Sequence, residues 1–437
     1  MKNAPFELNA DFQYALNVLE KTLDSVFLTG RAGTGKSTLL SLFRLTSRKQ
    51  CVVLAPTGVA ALNVQGQTIH SFFGFPGKFI TPADIRIRRD KAATMRKIET
   101  LIIDEVSMVR ADIIDCIDYA LRTARSINKP FGGVQMIFIG DLFQLPPIVS
   151  TPEEKVFFQQ QYESPHFFSA KVFKQGFKYE MIELKKVYRQ SERHFVRLLD
   201  AVREGEIDYD DLETLNERYI GDDKLATNAN YITLSARNNL VDEINNQELN
   251  RLTTPEYRFS AQITGTFDPK QVQAEPIITL KCGAQVMFVK NDNVKREYVN
   301  GSIGKIVELS QDRILVSLED MNEKKTLVEV EKQKWEVLHY RISSDGEKIE
   351  TETVGTFQQY PLRLAWAITI HKSQGKTFDR VFIDLGAGAF ETGQTYVALS
   401  RCRTLNGIIL KRKLLPTDIR IDERVVEYYQ YLRRHLN

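Results

Sequence analysis

The sequence predicts an α/β fold of two parallel-sheet lobes, with a small all-β insertion in the second. Three observations predict it. Unbroken apolar runs alternate with helical spacing through the first half of the chain, the pattern of strands buried on both faces. The same alternation returns towards the end. Between these stretches the texture changes to short, alternating, β-branched runs: QVMFVK, GKIVEL, RILVSL and TLVEVE.

Taken in order, residues 25–29 (SVFLT) read as a strand, and helical spacing follows over 35–47. CVVLA (51–55) is a second strand. TLII (100–103) and MIFI (136–139) are two more, joined by a helical stretch at 111–125. In the second half YITL (231–234) leads into helical 241–249. LRLAWA (362–367), RVFIDL (380–385) and GIIL (407–410) are further strands, with a helix around 395–401. Right-handed crossovers follow by default. The segment from about 284 to 355 reads as an antiparallel barrel, with Asn300-Gly301 and Asp345-Gly346 as hairpin-type turns.

Composition narrows the function classes. The 437 residues carry 59 Lys+Arg and 56 Asp+Glu, a net charge of +3, so any polyanion surface must be a local patch. The length suggests two or three domains. The 43% apolar and 26% charged fractions exclude collagen-like, mucin-like and wholly disordered chains. No apolar run approaches the ~20 residues of a membrane span. MKNAPFELNADFQYAL has neither a signal-peptide core nor an acid-poor, Arg-rich transit pattern. Cys51, Cys116, Cys282 and Cys402 stand singly and read as reduced thiols of a cytosolic protein.

Three motifs carry chemistry. GRAGTGKS (30–37) fits G-x-x-x-x-G-K-[ST] between a strand and a helix. Its glycines let backbone N–H groups approach phosphate oxygens, and the helix start favours negative charge. Lys36 would bridge terminal phosphates, and the Ser37 hydroxyl would hold Mg²⁺. LIIDE (101–105) ends a strand in two carboxylates: Asp104 suits the Mg²⁺ shell, and Glu105 suits polarising a water. GDLFQLPP (140–147) places Gln144 at the sheet's carboxyl edge, where its amide could sense a terminal phosphate or simply cap a turn.

These motifs resemble motifs I, II and III of superfamily 1 helicases, and residues 107–147 resemble the Pif1 signature region. APTGVAALNVQGQTIHSFF is similar to motif Ia and the block after it, LKKVYRQ to motif IV, LAWAITIHKSQGKTFDRVFIDL to motif V, and YVALSRCR to motif VI. The resemblance spans about residues 7–410 and looks like the compact bacterial Pif1 type, superfamily 1B. It implies two RecA-like lobes. The expected boundaries are 1–183 for lobe 1A, 184–283 with 356–437 for lobe 2A, and 284–355 for an SH3-like 2B insertion. A 1B wedge is expected at about 64–80.

The resemblance also implies residue roles. Gln13 would read adenine through its amide. Gly33, Thr34, Gly35, Lys36, Ser37, Thr38, Asp104 and Gly375 would line the nucleotide. Arg189 and Arg401 would reach the ATP phosphates from the second lobe, where guanidinium groups stabilise developing charge. Thr57, Gly58, Asn63, His70, Phe72, Pro147, Thr369, His371 and Lys372 would contact a nucleic-acid strand, with phosphates at helix starts and some bases on apolar or aromatic faces. Phe72, Phe73 and Phe75 fit either that edge or the core. Residues 78–97 hold seven basic and two acidic residues, and fit either strand phosphates or a solvated face.

The expected activity is an ATP- and Mg²⁺-dependent DNA helicase that moves 5′→3′ on single-stranded DNA. The family's substrates include single/double-strand junctions, with G-quadruplex and RNA–DNA hybrid left open. A monomer without a membrane partner, cytoplasmic and nucleoid-associated, is expected. Two alternatives remain at this point: a P-loop NTPase without translocation, and an ATP-gated nucleic-acid switch.

Overall fold

The computed structural model describes residues 9–76, 79–220, 231–319 and 325–435. Lys78 of the basic segment and the outer bounds at 1 and 437 lie outside the described residues.

The first half forms α1 (Ala10–Lys21), β1 (Ser25–Gly30), α2 (Lys36–Thr46), β2 (Cys51–Ala55), α3 (Gly58–Asn63), β3 (Gln67–Thr68) and α4 (Ile69–Phe73). It continues with α5 (Arg89–Lys97), β4 (Thr100–Ile103), α6 (Ala111–Arg125), β5 (Gln135–Ile139), α7 (Pro152–Gln161) and β6 (Tyr179–Leu184). The six strands make one parallel sheet, in the order β3-β2-β4-β5-β1-β6. Alternation along each strand feeds two cores. Phe27, Leu101, Ile103, Met136 and Phe138 face the α6 side. Val26, Leu28, Ile102, Ile137 and Ile139 face α1 and α2. That double burial is why these strands are apolar without interruption.

The second half opens with α8 (Arg193–Glu204), α9 (Tyr209–Asn216), β7 (Ile232–Ser235) and α10 (Asn238–Arg251). The chain then leaves the lobe through β8 (Glu256–Ser260), β9 (Gln262–Gly265), β10 (Ile277–Lys281), β11 (Gln285–Phe288), β12 (Ile303–Leu309) and β13 (Ile314–Glu319). β14 (Lys325–Glu329), β15 (Gln333–Ile342), β16 (Ile349–Gln359) and β17 (Leu362–Leu364) complete the excursion. It returns as β18 (Ala367–Thr369), β19 (Val381–Asp384), α11 (Gln394–Leu399), β20 (Ile408–Leu410) and α12 (Glu423–His435). The lobe sheet is parallel, β18-β7-β19-β20. The inserted strands are antiparallel, in sheets β14-β13-β12-β11-β17, β15-β16-β9 and β10-β8. Two RecA-like lobes and an SH3-like insertion result.

Several boundaries differ from the sequence reading. The insertion starts before 284 and ends after 355. Phe259, Ile278 and Leu280 share the barrel core with Val286, Phe288 and Val316, and β17 pairs with β11. LRLAWA is not one strand. Its first three residues close the barrel, and the chain re-enters the lobe at Ala367. The wedge expected at 64–80 begins inside the lobe, because β3 pairs with β2 and Phe72, Phe73, Phe75 and Ile80 are core. Asn300-Gly301 closes a long connection between β11 and β12 rather than a two-residue turn. Asp345-Gly346 does turn β15 into β16, with Gly346 at φ 75°.

The last helix is the largest reassignment. Val425, Tyr429 and Leu432 form one stripe of α12, and they pack into the first lobe's core, not the second's. Tyr428 stacks on Phe168 at 4.0 Å, Tyr429 bonds Thr29, and Asp422 meets His166 at 2.8 Å. An apolar stripe signals burial but does not say against which sheet.

Candidate functional site

The loop between β1 and α2 turns on glycines. Gly33 and Gly35 take φ 83° and 90°, a region that side chains rarely adopt. Each is also pressed by a neighbour: a Cβ on Gly33 would lie 2.5 Å from the Arg189 Cβ, and one on Gly35 would lie 2.8 Å from the Phe12 ring. Thr34 is buried, with its hydroxyl on the Arg31 carbonyl at 2.9 Å. Ser37 and Thr38 are exposed on the first turn of α2. Lys36 folds back, its ammonium donating to the carbonyls of Gly30 (2.6 Å) and Arg31 (3.0 Å). Burial lowers its pKa, and Asp141 and Glu105 oppose that.

β4 delivers Asp104 and Glu105 beside this loop. Glu105 is left-handed at φ 51°, a backbone region that non-glycine residues rarely adopt. Burial raises both carboxyls, and repulsion from Glu105 adds to Asp104. Both therefore hold their protons more tightly than free acids do, and both lie within the field of cations: Lys36 for Asp104, Lys36 and Arg401 for Glu105.

A network unread from the sequence supports them. Asp141 and Arg203 pair at 2.9 Å, both buried. Against the upward push of burial, Arg203 and Lys36 hold the Asp141 carboxyl below its usual range. Tyr396 donates to Asp141 at 3.2 Å and accepts from the Ala32 amide at 3.0 Å, so a second-lobe hydroxyl touches the phosphate loop. The Arg203 guanidinium lies 4.2 Å from the centre of the Phe143 ring. Asp141 and Tyr396 lie inside motifs already noted, GDLFQLPP and YVALSRCR. Arg203 carries no motif signal.

The two arginines converge on the same place. Arg189 lies on the connection from β6 to α8; the Tyr188 amide donates to the Gly33 carbonyl at 2.9 Å, and the Arg189 guanidinium donates to Ser400 at 3.1 Å. Gln190 anchors the connection by donating to the Ser400 and Cys402 carbonyls. Arg401 is 1% exposed; its partners are the carbonyls of Val397, Ser373 and Lys376 and the Ser400 hydroxyl. Neither arginine has a carboxylate in bonding contact among the described residues. Burial lowers both pKa values, to about 9 for Arg189, where Arg401 adds repulsion, and to about 10 for Arg401. A buried and a half-buried cation side by side, bonded only to neutral partners, make a cradle for an anion. Gln144 sits across from it and accepts from Gln374 at 3.5 Å, another residue the sequence reading did not single out.

The outer edge of the site is α1. Phe12 is buried against Gly35 and meets Tyr188 edge-on, and Asn9 donates to the Tyr188 hydroxyl. Gln13 is exposed on the same first turn. Gly375 stands on the far side at φ 74°, with open space where a Cβ would be.

The expected strand contacts divide. Thr57 caps α3 by accepting from the Ala60 amide, and Gly58 is covered by Gln271. Asn63 is exposed. His70 is half-buried with its ring edge-on to Phe75. Thr369 is buried and accepts from the Lys372 amide, His371 meets Glu391 at 3.2 Å, and Lys372 is exposed. Two expectations are corrected. Phe72 is core, edge-on to Phe73 and Tyr340, so it offers no face to a base. Pro147 is buried, and Ile148 beside it is exposed instead. In the basic segment, Lys91 donates to the Ser71 and Phe72 carbonyls at 2.7 Å and Arg96 to Ala124, a structural use.

The hairpin β15–β16 crosses from the insertion to the first lobe. The Tyr340 hydroxyl accepts from the Val53 amide at 3.0 Å, His339 bonds Ser71, and the Ile349 amide donates to Gln50.

The family of PIF1-like helicases matches residues 10–213. Pif1 of Bdellovibrio bacteriovorus, described as an ATP-dependent DNA helicase, is 33% identical over 97% of this chain and 92% of its own. The chain belongs to the Pif1-like helicase family. The human ATP-dependent DNA helicase PIF1 is 35% identical over 94% of this chain, which spans 62% of that protein's length. Among solved Pif1 structures, that of a Bacteroides species in complex with ADP-AlF4 superposes with a TM-score of 0.90 at 35% identity, covering 98% of both chains. Bacteroides Pif1 bound to single-stranded DNA gives 0.69 at 36% identity over the same coverage. At nearly equal identity, the chain superposes better on the ADP-AlF4 complex than on the strand-bound structure. Among the described residues no helix is long and apolar enough to cross a membrane.

Proposed function

We propose that the protein is an ATP-dependent DNA helicase, translocating 5′→3′ on single-stranded DNA and opening duplex or structured DNA. One observation carries this reading: Arg401, buried, and Arg189, half-buried, lie beside the phosphate loop with no carboxylate bonded to either among the described residues. A triphosphate would supply the missing charge.

In this reading ATP lies on Gly33–Thr38 with its base near Gln13 and Phe12, and Gly375 borders it from the second lobe. Lys36 releases the Gly30 and Arg31 carbonyls and takes the terminal phosphates. Glu105 orients the attacking water and accepts its proton, while Arg189 and Arg401 stabilise charge on the phosphoryl oxygens. Gln144 senses the terminal phosphate. Ser37 and Asp104 would hold Mg²⁺; their oxygens suit a small hard dication, and a cation relieves the repulsion between Asp104 and Glu105. When bound, it neutralises phosphate charge. Phosphate release removes the attraction that holds the arginine side against the loop side, and the cleft relaxes. Thr57, Gly58, Asn63 and His70 on one lobe and Thr369, His371 and Lys372 on the other would grip the strand in turn. Junctions are the favoured substrate; G-quadruplex and RNA–DNA hybrid belong to the same reading, as does a monomeric state. The strand-bound Bacteroides relative and the helicase descriptions of the human and Bdellovibrio relatives support it.

The test combines two assays. Single-stranded DNA should stimulate ATP turnover, and a duplex with a 5′ tail should be separated while one with a 3′ tail is not. Lys36→Ala should abolish both. Stimulated turnover without strand separation would leave only an ATP-gated switch.

A further inference from the structure

Arg203 is a buried cation that the reaction sequence above leaves without a role. It stands near the end of α8, whose Phe195, Leu198 and Val202 sit in the second lobe's core. Asp200 and Arg203, three positions apart and so neighbours along the helix, both reach into the first lobe. The Asp200 carboxylate pairs with Arg31 of the phosphate loop at 2.7 Å. Arg203 donates to Asp141 Oδ1 twice, from Nη2 at 2.9 Å and from Nε at 3.2 Å. The rings of Phe143 and Tyr429 flank its guanidinium, and Nη1 is bonded to Glu204.

Asp141 passes this grip to Gln144. Its Oδ2 accepts from the Gln144 amide nitrogen at 3.4 Å and from the Tyr396 hydroxyl at 3.2 Å. The amide oxygen of Gln144 accepts from Gln374 of the second lobe at 3.5 Å, so the side chain is held at both ends. Its backbone is seated as well: a Cβ on Gly393, at the head of α11, would stand 2.6 Å from the Gln144 carbonyl oxygen. An ionised carboxylate only accepts, so it fixes which end of the amide faces it. One N–H of Gln144 goes to Asp141, and the second is left for a phosphate oxygen. A protonated Asp141 could donate to the amide oxygen instead, and the amide could turn. Burial works against the charge on Asp141; Arg203, then Lys36, hold it ionised.

We infer that Arg203 is a positioning residue for ATP hydrolysis: through Asp141 it fixes the Gln144 amide towards the terminal phosphate. Because it stands on a second-lobe helix, it does so only while the two lobes are together. The inference rests on the reading of Gln144 as the phosphate sensor. It gives α8 a purpose beyond packing, since Asp200 on the same helix holds the phosphate loop at Arg31. Lobe closure then sets two parts of the first-lobe site at once, the loop and the Gln144 amide.

The experiment is a double-mutant cycle on the full chain, reading kcat and KM for ATP with saturating oligothymidylate. Arg203→Met should lower kcat about 10²-fold, the cost of a misplaced group, with KM for ATP near the wild-type value. Gln144→Ala should lower kcat by itself. Adding Arg203→Met to Gln144→Ala should then cost nothing further, because both changes remove the action of one amide. Where thermal melting shows that Arg203→Met does not fold, Asp141→Asn with Arg203→Met replaces it in the same cycle, since that pair leaves neither charge buried alone. Losses that multiply would show that Arg203 acts on the fold, and would overturn the inference while leaving Gln144 its role. A raised KM with unchanged kcat would make Arg203 a nucleotide-binding support and overturn it too. Normal turnover in Gln144→Ala would overturn both the sensing reading and the inference built on it.

Discussion

Arg189 rests its Cβ against Gly33, so closely that a methyl group on the glycine would stand 2.5 Å away. The residue that crosses between the lobes is thus seated on the phosphate loop by its backbone and Cβ, and its guanidinium is free to serve an anion while held at the Ser400 carbonyl. Gly33→Ala strains a backbone at φ 83° and pushes this connection outward. It should lower ATP turnover with Lys36 intact. Arg189→Ala keeps the seating and loses the charge, so kcat should fall about 10³-fold with little change in oligonucleotide affinity. Steady-state turnover and fluorescence anisotropy on the same preparations check both.

Glu105 predicts a pH dependence. Burial raises its carboxyl above the ordinary 4.5, with Lys36 and Arg401 opposing. A base acts only when ionised, so kcat should rise with pH through a limb lying above that value. Glu105→Gln should bind a fluorescent ATP analogue like the wild type, turn over ATP far more slowly, and lose the limb.

Asp141 predicts stability. Its carboxyl is held below the usual range, so its contribution is present at neutral pH and lost as the pH falls through that depressed value. Asp141→Asn takes the carboxylate from the Nε and Nη2 side of the buried Arg203 and leaves only Glu204 at Nη1, which should cost about 3 kcal/mol. The thermal midpoint should drop, and Asp141→Asn with Arg203→Met should recover part of it.

Tyr340 predicts a change in strand affinity. Its hydroxyl accepts the Val53 amide and ties the hairpin β15–β16 to the first lobe. Tyr340→Phe removes about 1 kcal/mol from that contact. If strand binding requires the hairpin to undock, affinity for single-stranded DNA should rise about fivefold. Unchanged anisotropy titrations would show that the hairpin stays docked when the strand is bound.

Much of the first lobe was legible because its signals are local. TLII and MIFI are apolar throughout since both faces of the sheet are covered, and GRAGTGKS declares itself by glycines that only one loop geometry requires. Arg203 was not legible. A single arginine in an amphipathic helix looks like any solvated residue until the fold brings Asp141 to it across 62 positions. Phe72 failed for the converse reason: an aromatic in a strand-contacting segment has the same sequence signature whether it faces a base or the core.

The sequence by itself determined the alternation of strands and helices, the phosphate loop, the paired acids and the family. These depend on periodicity and on residues close together in the chain. The tertiary structure decided which sheet receives α12, where the barrel begins and ends, and which cations end without acids. Those outcomes depend on distant segments meeting, and an apolar stripe or a lone arginine specifies burial or charge without specifying its partner.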